Sequence, residues 1–181
     1  MRLFRRFIVA VGMLLMIFIA VGFFLPATAH VERSISIARP VPETFAFLNG
    51  YRHFNEWSPW ANIDPKTQYV FSGPTSGVGA RMAWSSSDAN VGVGSQEILA
   101  VKDNTWIQMK LDFGSQGQAL ASYILTADGA QTRVTWGFDM QFGKNLLGRY
   151  CGLLMNKMIG ADYEKGLANL KQVIEKPATK S

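Results

Sequence analysis

The chain is poor in the side chains that most often carry chemistry. Its 181 residues include one cysteine, Cys151, and two histidines, His30 and His53. A single cysteine excludes an intramolecular disulfide, although an exported protein could form one. Cys151 sits in an apolar helical stretch and reads as a small buried hydrophobe rather than a nucleophile. No serine or cysteine has an evident histidine partner, so no catalytic residue is assigned. Two histidines are too few for a metal site with the usual ligand number, and His53 and Glu56, three apart, read as a surface pair. The glycine pairs around Gly77 and Gly92 precede no helix start of a βαβ unit, so nucleotide binding is not indicated and no cofactor is expected. Positive charge is also thinner than it looks. Of the net +5, three charges are Arg2, Arg5 and Arg6, so five less three leaves +2 for the rest. Without a basic stripe interleaved with aromatics, nucleic acid is excluded as a partner.

Charge is missing altogether from Phe7 to Leu25, nineteen residues. At about 1.5 Å per residue this run just crosses a ~30 Å hydrocarbon layer. The arginines before it keep the N-terminus cytoplasmic and send the remainder outward, giving a single-pass inner-membrane protein with an extracytoplasmic, periplasmic domain. A cleavable signal is the competing reading, because Ala27-Thr28-Ala29 is a small-x-small pattern. A signal's apolar region usually spans only about 7–15 residues, so a retained anchor is preferred. The expected division is an anchor over 1–29, one domain over 30–176 and a frayed tail over 177–181. Roughly 150 residues suffice for one domain with a real core.

Behind the anchor, residues 31–39 alternate, with Ile35 and Ile37 opposite Ser34 and Ser36, which predicts a half-buried strand. Pro42-Glu43 then opens a helix carrying Val41, Phe45 and Leu48 at helical spacing. A second short helical piece over 51–56 runs into Trp57-Ser58-Pro59-Trp60. Six strands follow, near 68–72, 79–86, 94–101, 105–113, 118–127 and 131–140, separated by Gly, Asp and Asn turns. Parity sends Ile107, Met109, Leu111 and Phe113 to one face, and likewise Met82 with Trp84, Tyr123 with Leu125, and Val134, Trp136, Phe138 and Met140. The last element spans about 146–175. Its apolar stripe is Met155, Ile159, Tyr163, Leu167, Leu170 and Ile174, widened by Leu154 and Met158. Four glycines in it, Gly148, Gly152, Gly160 and Gly166, predict a bend or close packing against a sheet. The fold class is therefore α+β: a curved seven-stranded antiparallel sheet around a long C-terminal helix, with two short helices after strand one and an N-terminal transmembrane helix.

With that order in place, the chain resembles the polyketide cyclase/dehydrase and lipid-transport (SRPBCC) family of the START-like, birch-pollen-allergen-like superfamily. The resemblance is carried by Val31-Glu32-Arg33-Ser34-Ile35, Phe45 and Leu48, Trp57-Ser58-Pro59-Trp60, Thr132-Arg133-Val134-Thr135-Trp136, Tyr163-Glu164-Lys165-Gly166-Leu167 and Leu170-Lys171. It covers roughly residues 30–175 and implies a helix-grip fold around a hydrophobic cavity. It transfers no catalytic residue.

The residues expected to meet a ligand are Trp57, Trp60, Trp84, Met109, Phe113, Tyr123, Trp136, Phe138, Met155, Ile159 and Tyr163. One long helix does not fill a curled sheet, so inward aromatics and methionines should line leftover volume, with the two tyrosines as polar handles. Trp57 and Trp60 read either as a wall of the ligand entrance or as a plug fastening the short helices to the sheet. Inward acids are lacking, and tyrosines with an ordinary pKa near 10 act first as hydrogen-bond donors. The favoured function is non-enzymatic binding of a hydrophobic small molecule or lipid by a membrane-tethered domain. The alternatives are a cyclase- or dehydratase-like enzyme using the same cavity, tested at Tyr123 and Tyr163, and a structural partner of a membrane complex.

Overall fold

The computed structural model describes residues 1–176; the expected tail over 177–181 lies outside the described residues. Helix α1 (Arg2–Phe24) is followed by β1 (Thr28–Ile37), α2 (Val41–Leu48) and α3 (Phe54–Trp57). Strands β2 (Gln68–Ser72), β3 (Arg81–Ser85), β4 (Val93–Lys102), β5 (Trp106–Asp112), β6 (Gln118–Asp128) and β7 (Gln131–Gln141) lead to α4 (Leu146–Glu175). The seven strands form one antiparallel sheet ordered β1-β7-β6-β5-β4-β3-β2. Closing the order with β1 beside β7 brings the start of the domain next to its last strand. This is the helix-grip α+β fold, with an apolar helix before it.

The core follows the expected parity. Ile107 and Met109 of β5, Tyr123 and Leu125 of β6, and Val134, Trp136 and Phe138 of β7 are all buried on the concave face. Tyr163, Leu167, Leu170 and Ile174 of α4 close over them. Two close approaches explain glycines in that helix. A Cβ at Gly166 would lie 2.8 Å from the Trp136 ring and 3.0 Å from Pro59. One at Gly160 would collide with the Arg33 guanidinium, which ties β1 to α4 through Glu164 and Asn156.

Three details differ from expectation. Cys151, expected as a small buried hydrophobe, is exposed on α4. Strand β1 begins at Thr28 rather than near Val31, because Thr28 and Ala29 pair with Gln141 and Met140, and the Ala27 carbonyl accepts the Phe142 N–H at 2.8 Å. Strand extent is set by the partner's backbone, which side-chain alternation does not report. The small-x-small pattern thus lies largely inside a paired strand. Leu154 and Met158, expected to widen the buried stripe, are instead 59% and 65% exposed, because the sheet does not reach over that side of α4.

Candidate functional site

Between the sheet and α4 lies an open-mouthed cavity of about 390 Å³. Its walls rise from the concave faces of β2 to β7, its lid is α4, and its closed end is built by the segment around α3. Ten of the eleven expected residues border it: Trp60, Trp84, Met109, Phe113, Tyr123, Trp136, Phe138, Met155, Ile159 and Tyr163. Trp57 does not. It is buried behind the wall, edge-on to Phe54, Tyr123 and Trp136, and its carbonyl accepts Asn169 Nδ2 of α4 at 3.2 Å. Parity and spacing give the direction of a side chain but not its depth, so Trp57 and Trp60 look equivalent in sequence while only Trp60 meets open volume.

The aromatic wall is ordered around Trp136. Its ring stacks on Tyr163 with centroids 3.7 Å apart and 14° between planes, and meets Trp57 edge-on at 5.1 Å and Trp60 at 6.0 Å. Such contacts add to the area the rings bury and hold the wall in one arrangement. The lining also includes Met140, on the inward face that parity predicts, and Phe54, Tyr69, Met82 and Leu111, which the sequence pattern places in strands or helices without assigning them to the cavity.

Polar groups in the lining are few. Burial pushes the phenols of Tyr123 and Tyr163 above the ordinary tyrosine range, so both stay neutral and can donate or accept but not serve as bases. Among the described residues Asp162, half-buried, is the one charged side chain bordering the cavity. Gln96 is only 5% exposed, and its Nε2 has no hydrogen-bond partner. A buried donor left unmade costs about 1–3 kcal/mol. Gln96 was missed because a lone glutamine in an alternating strand carries no signal of which face it takes until the strand register is known. Among the described residues, no three His, Cys, Asp or Glu side chains are placed to hold a metal ion. His53 and Glu56 pair with each other at 2.7 Å on the surface.

A family model described as polyketide cyclase/dehydrase and lipid transport matches residues 28–175. The chain belongs to this family. Membership points to hydrophobic-ligand binding or cyclase-like chemistry. No curated protein sequence matches the chain. Solved structures share the fold. A protein from Nitrosospira multiformis is 17% identical, with 81% of this chain and 97% of that one covered at a TM-score of 0.57. A protein from Mesorhizobium loti is 18% identical, covering 84% and 99% at 0.56. The di-domain ARO/CYC StfQ of the steffimycin biosynthetic pathway is 10% identical, covering 82% of this chain and 51% of that chain at 0.60. In this polyketide cyclase/dehydrase and lipid-transport member, the cavity residues come from six strands, β2 to β7, from helices α3 and α4, and from the segments between them. The fold supplies the cup, and the side chains decide what enters it.

Proposed function

We propose that this family member is an exported, membrane-tethered binder of a hydrophobic small molecule or lipid and performs no chemistry of its own. The observation that carries the reading is the apolar, half-open cavity of about 390 Å³. That volume lies within the usual 300–1,000 Å³ range of ligand pockets, near its lower end. It suits one acyl chain or a compact ring system. Ten side chains there, from Trp60 to Tyr163, are the proposed contacts; Trp57 supports them from behind. The unpartnered Gln96 Nε2 favours an occupant with one acceptor, such as a carbonyl or carboxylate, at its buried end.

Tethering is supported by α1, which is 23 residues long and highly apolar. Arg2, Arg5 and Arg6 at the near end support an orientation with the sheet on the outer side of an inner membrane. Retention rather than cleavage is supported by the pairing of Thr28 and Ala29 in β1.

The test is photo-crosslinking with a diazirine-bearing fatty acid, using the full chain in vesicles. Labelled peptides from β5 and β6, lost in an Ala121→Phe variant, are expected, because Ala121 faces the cavity between Met109 and Phe138. Labelling confined to α1 would overturn the reading. A cyclase-like enzyme is the second reading, favoured by two neutral phenols that share the cavity wall with Asp162. It expects Tyr123→Phe or Tyr163→Phe to abolish turnover of an aromatic or polyketide-like substrate while binding survives.

A further inference from the structure

The first half of α4 is built unlike its second half. Five of the helix's six buried residues lie at or after Tyr163, and the sixth is Gly160. Before Gly160, Leu147, Leu154 and Met158 are 66%, 59% and 65% exposed, and Cys151 is exposed between them. Spacings of four, three and four residues put these four on one helical face about 16 Å long. Around the helix from them, Met155 and Ile159 border the cavity. The same stretch is basic: Lys144, Arg149 and Lys157 occur with no Asp or Glu between Asp139 and Asp162. An apolar stripe flanked by cations is the composition of an interfacial helix.

This half of α4 is also where α1 is fastened. Tyr150 stacks on Phe18 with centroids 4.2 Å apart and donates its hydroxyl to the Phe18 carbonyl at 2.6 Å. Arg149 donates to the carbonyls of Phe23 and Leu25 at 3.1 Å and 3.2 Å, satisfying acceptors that the helix end leaves open. Only residues 25–27 separate α1 from β1. Phe18 lies six residues from the end of α1, about 9 Å along its axis. With α1 across a bilayer, Tyr150 therefore sits at interfacial depth.

The cavity opens at this same end of the molecule. Strand register puts Thr28, Gln141, Gln118, Asp112 and Val93 at one end of the sheet, and Ile37, Thr132 and Asp128 at the other. The exposed residues bordering the cavity belong to the first end: Ala89 and Asn90 before β4, Val93 at its start and Gln116 between β5 and β6. The short helices plug the opposite end.

We infer that residues 146–158 form a membrane-docking surface that lies in the leaflet where α1 ends and holds the mouth of the cavity against the lipid. The inference rests on the tethering reading and adds an orientation to it. The leucines and Met158 enter the acyl boundary while the Lys144 and Lys157 ammonium groups reach the phosphates. Anionic headgroups strengthen the attachment. A hydrophobic ligand then passes between bilayer and cavity beside Met155 without crossing water.

Cys151 lies on the docking face and is the chain's one cysteine, so a single fluorophore reports on it. The full-length protein, carrying an environment-sensitive NBD label at Cys151, is placed in phosphatidylcholine–phosphatidylglycerol vesicles. It is compared with a label at Ala130→Cys, in a Cys151→Ser background, on the far β6–β7 turn. The Cys151 label should emit at shorter wavelength, be quenched by doxyl lipids and be several-fold less sensitive to aqueous iodide than the Ala130 label. Leu154→Glu with Met158→Glu should return it to iodide without releasing the protein from vesicles. Equal iodide quenching at the two positions in integrated protein overturns the orientation while leaving tethering intact. Shielding from both iodide and doxyl lipid marks a protein contact and overturns it too. Release of the protein by alkaline carbonate overturns the tethering reading, and the docking surface with it.

Discussion

At the scale of residues, a few groups decide what the cavity accepts and how the domain responds to pH. Gln96 is a buried donor without a partner in a wall that is otherwise mostly carbon. Gln96→Leu removes that donor at similar volume. The empty domain should melt no lower than the parent, whereas retention of an acceptor-bearing ligand in competitive binding should fall about tenfold, the equivalent of ~1.4 kcal/mol. At the end of β1 next to α1, His30 Nδ1 lies 2.7 Å from Asp139 Oδ1. The hydrogen bond and the charge of that carboxylate, aided by Glu32, raise the His30 pKa above 6.5. A raised folded-state pKa means that protonated His30 stabilises the fold. The contribution is complete below about pH 6.5 and disappears as pH rises through the folded-state value. Thermal melts should show His30→Ala lowering the melting temperature at pH 5.5 and leaving it nearly unchanged at pH 8.5; an equal loss at both would contradict this.

At the scale of elements, alternation and turn residues made the sheet legible. Val134, Trp136, Phe138 and Met140 share a face in the sequence and in the structure, because a strand's period of two is rigid. Helical periodicity was less informative for α4. Leu154 and Met158 fit the apolar stripe as well as Met155 and Ile159 do, yet the former face outward. An apolar side chain has the same hydropathy whether it meets a protein core or another apolar phase, so periodicity alone does not separate the two. Long-range pairs such as Arg149 with α1, and the extension of β1 back to Thr28, were illegible because both depend on partners more than a hundred residues away. Arg149 closes the end of α1, so Arg149→Ala should loosen the junction alone. Hydrogen exchange should quicken at residues 23–29 while the amides of β6 and β7 keep their protection. Quickening throughout the sheet would show instead that Arg149 supports the whole domain.

At the scale of the whole molecule, three features sit at one end: the exit of α1, the uncovered half of α4 and the mouth of the cavity. The other end is closed by the short helices, where Pro59 packs on Gly166 of α4 and Trp57 on Trp136. A three-residue connection leaves the cup little freedom to travel. With α1 in a bilayer, as proposed above, the domain is a fixed receptacle at the membrane surface rather than a diffusing shuttle. Its central claim is that the cavity holds an apolar molecule. The most direct measurement is native mass spectrometry of the full-length protein released from detergent, beside the cavity-filled Ala121→Phe variant. About one bound hydrophobic molecule per chain in the parent, absent from a folded Ala121→Phe protein, is the predicted result. A parent that carries nothing, or the same adduct undiminished in the variant, would contradict it.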